Sequence, residues 1–204
     1  MTSTGEKVLI SVSGLFLFIA GFIIFMGIIT GEIFYTLDFN TRDNYISELA
    51  ATMVPNTPVP ELSETIFNSS MIVSGSLILI AAVLLCLTFR RLLVTIPLGI
   101  FGIGLIGVGV FPGDVVPWHG VFALLLFIFG GVGAITSFRI VSSPLKYVFI
   151  FLGILSLVFL IAYKSFIPAL GVGGAERWVF YPEVFWITGL GGFLLGLKDQ
   201  RKYS

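Results

Sequence analysis

The feature that most constrains this chain is a series of apolar runs about as long as a bilayer is thick. Val8 to Ile29 gives 22 residues without a charged side chain, and a hydrocarbon core about 30 Å thick needs about 20 residues of helix. Five further runs fall in that range, approximately 66–89, 92–111, 115–138, 147–163 and 179–197. The second is lengthened by an amphipathic turn from Glu61. The fifth is the shortest and needs either little tilt or a few residues of the next loop. With 57% hydrophobic and 11% charged residues, against about a quarter charged in soluble domains, and a mean hydropathy of +1.08, the expected fold is all-α: a polytopic six-helix membrane bundle, one membrane domain over 1–204. The first run ends in Gly-Ile-Ile-Thr rather than a small-x-small cleavage pattern, so a retained helix is expected, not a signal peptide.

Lysines and arginines set the expected orientation. With the N-terminus inside, Lys7, Arg90, Arg91, Arg139, Lys146, Lys198, Arg201 and Lys202 are cytoplasmic, against Arg42, Lys164 and Arg177 outside, so both termini are predicted cytoplasmic in a multi-pass protein of the cell membrane. The acids segregate the other way: Glu32, Asp38, Asp43, Glu48, Glu61, Glu64, Asp114, Glu176 and Glu183 fall outside. Short cytoplasmic links at Phe89–Arg91 and Arg139–Lys146 predict that helices two and three, and four and five, are antiparallel neighbours. Net charge is zero, without a basic run, so nothing recommends a nucleic-acid partner. The only cysteine, Cys86, lies in an apolar run and excludes a disulfide scaffold.

Small residues let helix backbones approach in lipid. Gly99, Gly102, Gly104, Gly107 and Gly109 point in several directions around helix three, which is expected to be contacted from several sides and to lie centrally. Gly130/Ala134, Gly133/Ser137 and Gly192/Gly196 are expected close-packing faces. The central and cytoplasmic halves of the helices are read as free of ionisable residues, which argues against a coupled transporter.

Candidate site residues therefore gather outside. The long loop 30–60 holds Arg42, Asp43 and Glu48. Tyr45-Ile-Ser-Glu-Leu-Ala alternates apolar and polar residues and is expected to form a short helical turn on the bundle, followed by an extended Asn56-Thr-Pro-Val-Pro. Asn68 shares a stripe with Glu61 and Glu64 and faces the bundle near its outer surface. Its Asn-Ser-Ser is a formal glycosylation sequon, set too close to the membrane for use. Asp114 and the sole histidine, His119, lie in a tight turn between helices three and four. His119 is read first as an interfacial hydrogen-bonded residue, and a zinc site would need carboxylates to complete it. In the last outer loop Gly173-Gly174 permits close backbone approach or positive φ. Glu176 and Arg177 are expected to cap helix six, with Trp178, Tyr181 and Trp186 as interface anchors. No phosphate-binding glycine motif is present, and Ser47, Ser69 and Ser70 lack a nucleophile elbow.

Three stretches in order, Tyr45-Ile-Ser-Glu-Leu with Phe67-Asn-Ser-Ser, Gly109-Val-Phe-Pro with His119, and Gly174-Ala-Glu-Arg-Trp with Tyr181-Pro, resemble the domain of unknown function 998 family. That resemblance spans nearly the whole chain and implies six helices with no assigned activity. The Ile-Ser-Glu-Leu segment followed by Ile66-Phe67 is distantly similar to the DRAM/Frag group of six-helix proteins, with Glu48 where an Asp is expected.

Several functions stay open at this point. In the first, a lipid or other small ligand binds a polar outer pocket built from Arg42, Asp43, Glu48, Asn68, His119, Glu176 and Arg177, with Asp114 at its rim and the arginines available to phosphate or carboxylate. In the second, a lipid-modifying enzyme uses His119 with Glu48 or Asp114. In the third, a structural subunit pairs its outer charges with each other and with a membrane partner protein or a second copy. No cofactor or resident metal is called for by the residues.

Overall fold

A computed structural model describes residues 4–36, 38–51 and 60–197. Among the described residues six α-helices follow one another: α1 (Thr4–Phe34), α2 (Glu61–Phe89), α3 (Leu92–Val110), α4 (Trp118–Thr136), α5 (Leu145–Ile161) and α6 (Tyr163–Gly196). Five of them are long and apolar enough to cross a membrane, and α5, at 17 residues, is shorter. The expected extended path over Asn56 to Val59 and the basic residues Lys198, Arg201 and Lys202 lie outside the described residues.

Each helix packs on its neighbours in sequence, and α6 returns to α1, closing a ring. The α2–α3 and α4–α5 links are short turns, so those pairs are adjacent as expected. Helix α3 is flanked by α2 and α4 and is a member of the ring rather than its centre. Its Phe101 reaches across to Trp186 of α6 in an edge contact at 5.8 Å. The connections α1–α2 and α3–α4 and a break in α6 share one end of the ring, the site end.

Glycine sets the helix spacing at three seams. A methyl group on Gly75 of α2 would stand 2.6 Å from the Gly102 carbonyl oxygen of α3. On Gly191 of α6 it would stand 2.7 Å from that of Gly14 in α1, and on Gly153 of α5 2.5 Å from that of Gly131 in α4. These are backbone contacts that no larger residue admits, the means by which helices gain dispersion energy in lipid. Gly130 and Gly133 accept side chains instead, Glu183 and Trp186 of α6. The expected Gly192/Gly196 face meets none of the described residues: none lies within 4 Å of a Cβ at either position. The seam runs one residue away, through Gly191.

Helix α6 departs most from the sequence expectation. The stretch read as a last outer loop is helical from Tyr163, after a single-residue link, Ala162, from α5. The helix breaks at Gly171, whose φ of 74° is left-handed and open to glycine at little cost. Glu176 and Arg177 thus lie inside α6 and do not cap it. Trp186, expected at the interface, is fully buried, and its indole Nε1 donates to Ser137 Oγ at 2.9 Å. Glu183, expected among the outer acids, is likewise fully buried. Its Oε1 accepts from Ser156 Oγ of α5 at 2.7 Å, its Oε2 has no hydrogen-bond partner among the described residues, and its carboxyl lies against the backbone of Gly130. One ionisable group therefore sits within the bundle, joining α4, α5 and α6.

Candidate functional site

The site end is built around residues 40–51. Asn40 and Asn44 organise the turn: Asn40 Oδ1 accepts from Arg42 N and Asn44 Oδ1 from Asn40 N, each at 2.9 Å, while Asn40 Nδ2 donates to Asp43 at 3.0 Å. A short 3-10 helix, Ile46–Ala50, follows as the alternating pattern suggested, with Ile46, Leu49 and Ala50 buried on the bundle. Glu48 folds back onto its own segment. Its Oε1 accepts from Tyr45 N and its Oε2 from Asn44 Nδ2, both at 2.8 Å, in the manner of a capping box.

Helix α6 holds this segment mainly through backbone groups. The Arg42 carbonyl accepts from Gly173 N at 2.9 Å and Gly174 N at 3.1 Å. The approach is so close that a Cβ on Gly171 would meet the Arg42 backbone and one on Gly173 the carbonyls of Thr41 and Asn44. Glu176 accepts from Ile46 N. Arg177 is 8% exposed. Its Nη1 donates to Thr41 O at 2.9 Å and to Asn44 O and Gly173 O at 3.1 Å, and its Nη2 pairs with Glu32 of α1 at 2.7 Å. From α2, Ser63 Oγ donates to Leu49 O at 2.9 Å.

The structure thus brings Arg42, Asp43, Glu48, Glu176 and Arg177 together, and adds Glu32, Asn40, Asn44 and Gly171, which sequence reasoning did not single out. Three of them, Glu48, Glu176 and Arg177, are engaged with the protein itself. Arg42 and Asp43 keep exposed side chains, at 58% and 56%, 3.8 Å apart. On the far side of the short helix, His119 Nδ1 donates to Phe111 O at 2.8 Å. His119 also lines, with Ser47 and Glu176, a cavity of about 20 Å³, room for one water. Asn68 is half-buried on α2, its Oδ1 without a partner among the described residues, and Asp114 is exposed on the α3–α4 turn. No group of three or more His, Cys, Asp or Glu among the described residues is placed to hold a metal ion.

Two spaces of similar size adjoin this constellation: one of about 600 Å³, with Glu32, Asp38 and Asn40 in its lining, and one that is apolar. A groove of about 610 Å³ runs between α5 and α6, lined by Leu152, Leu155, Leu170, Trp178 and Phe185 and reaching Thr41 and Arg42. From Gly174 to Phe185 it follows α6 for about 16 Å at ~1.5 Å per residue, about half of a hydrocarbon core of about 30 Å. No sequence signal marks it, because lipid-facing and groove-facing leucines read alike.

No curated protein and no solved structure matches the chain, so the distant likeness to DRAM/Frag proteins has no match behind it. The family described as Protein of unknown function (DUF998) matches residues 18–192, from within α1 to near the end of α6. This chain is accordingly a multi-pass helical membrane protein belonging to the DUF998 family.

Proposed function

We propose that this protein binds a membrane lipid, with an acyl chain in the α5–α6 groove and the headgroup at Thr41 and Arg42. The observation that carries this reading is the groove itself: about 610 Å³, apolar along its length, and ending at an exposed arginine. Ligand sites commonly take this form, a largely apolar cleft of about 300–1,000 Å³ with a few polar groups fixing orientation. Its length along α6 suits the chain region of one leaflet, as expected for a lipid entering sideways. Glu48, Glu176 and Arg177 then act as the frame that positions the headgroup residues.

The excess of lysine and arginine on the opposite side supports an orientation with both termini cytoplasmic and the groove opening to the outer leaflet of the cell membrane. To test the lipid reading, Leu155→Trp, which fills the groove from α5, is purified beside the wild type and its bound lipid measured by native mass spectrometry. Loss of lipid from the variant with an unchanged melting temperature is expected. Equal lipid retention in both would overturn the reading.

A further inference from the structure

We infer that the groove selects a zwitterionic phospholipid, with the phosphate on Arg42 and the ammonium on Asp43; this rests on the lipid reading above. The first support is that this pair is held in place at its backbone and open at its side chains. The Arg42 carbonyl accepts from two α6 amides, Arg42 N donates to Asn40 Oδ1, and Asp43 Oδ2 accepts from Asn40 Nδ2. The Arg42 guanidinium has one ion-pair neighbour among the described residues, Asp43, at a separation too long for a hydrogen bond. A planar fork of donors beside a carboxylate, both exposed, is complementary to a phosphate joined through a short linker to an ammonium, and arginine is the side chain best shaped for the phosphate.

The second support is the charge around the pair. Arg177, the other arginine lining the groove, is already neutralised by Glu32, which leaves Arg42, with Asp43 beside it, as the other cation of that lining. A lipid with net negative charge would bring its phosphate to Arg42 and leave Asp43 facing an anion. A zwitterion satisfies both members of the pair and adds no net charge. Like charges placed together are the usual means by which a site rejects the wrong partner.

The test compares the retention of phosphatidylethanolamine and phosphatidylglycerol of equal chain length by delipidated wild type, Asp43→Asn, Arg42→Gln and Leu155→Trp. Both headgroup substitutions are at exposed side chains, and Asp43→Asn keeps an acceptor for Asn40. Wild type is expected to prefer phosphatidylethanolamine by about fivefold, the size of one exposed charge pair. Asp43→Asn should abolish or reverse the preference, and Arg42→Gln should weaken retention of both lipids. Equal retention of the two lipids by wild type, or a preference unchanged in Asp43→Asn, overturns the headgroup assignment while leaving the groove reading standing. Retention unaffected by Leu155→Trp overturns the groove itself. Binding of chain-free glycerophosphoethanolamine as tight as that of the lipid would overturn a lipid as the source of the headgroup.

Discussion

Replacing Arg177 with alanine should release residues 40–50 from the bundle without unfolding the helices. The guanidinium donates to two carbonyls of that segment, Thr41 O and Asn44 O, at 2.9 and 3.1 Å, and pairs with Glu32 at 2.7 Å. Hydrogen bonds to a charged group contribute about 1.5–3 kcal/mol each, and breaking a buried ion pair from one side costs about 3–5 kcal/mol. These figures overlap and do not add. Because the Glu32 side chain is 25% exposed and regains water, the lower bound of about 3 kcal/mol is the fitting value, or roughly a hundredfold in the opening equilibrium at 1.4 kcal/mol per tenfold. The segment keeps its bonds from Gly173, Gly174 and Ser63 and its contact with Glu176, so the opening is local. Hydrogen exchange in nanodiscs reads it directly: the turn amides of Asp43, Asn44, Glu48 and Ala51 should lose roughly two decades of protection, while those of α3 stay as in the wild type. Arg177→Lys should not restore protection, since an ammonium on a flexible stem lacks the planar fork that spans several carbonyls. Arg42→Ala, at an exposed pair, should change stability by less than ~1 kcal/mol. Loop protection indistinguishable from wild type in Arg177→Ala, or equal loss throughout α3, would refute the assignment of Arg177 as a local clamp.

Two further outcomes follow from the packing. Gly191→Ala puts a methyl against the backbone of Gly14 and Phe18 and should destabilise by about 1–3 kcal/mol through overpacking, whereas Gly192→Ala, with open space at its Cβ, should be neutral or slightly stabilising by thermal unfolding in detergent. Ser156→Ala removes the donor to Glu183 Oε1 where Oε2 already has no partner among the described residues; a loss of about 1–3 kcal/mol is expected, and an unchanged unfolding midpoint would show that this hydrogen bond does not hold α5 to α6.

What the chain disclosed depended on whether run length or partner identity was being asked. Six apolar runs fix six helices because the length of each is a local property, and the alternation at Tyr45–Ala50 was enough to place a short helical turn on the bundle. Helix α6 escaped that reading for a physical reason. Gly171 to Glu176 has loop composition in water, but in a helix bundle the intrahelical hydrogen bonds and the close approach to Arg42 favour continuing the helix past a single left-handed glycine. Starting the helix too late put Glu183 near its outer end and Trp186 in the interface, where each looked ordinary. Both are core residues with specific partners, Ser156 and Ser137.

The two arginines of the site end show why the site was only half legible. In the sequence Arg42 and Arg177 stand alike, two cations among acids, each suited to an anionic headgroup. What separates them is mostly backbone: the acceptors of Arg177 are carbonyls of Thr41, Asn44 and Gly173, and a carbonyl carries no residue-type signature. Once those bonds and Glu32 are counted, Arg177 has its charge neutralised and its guanidinium buried, and a ligand phosphate could reach it only by displacing the loop. Arg42 is fixed through its carbonyl, by the α6 amides of Gly173 and Gly174, so the loop that covers Arg177 leaves the Arg42 side chain exposed beside the groove. In the proposed lipid complex the headgroup would therefore meet Arg42, with Arg177 determining where Arg42 stands.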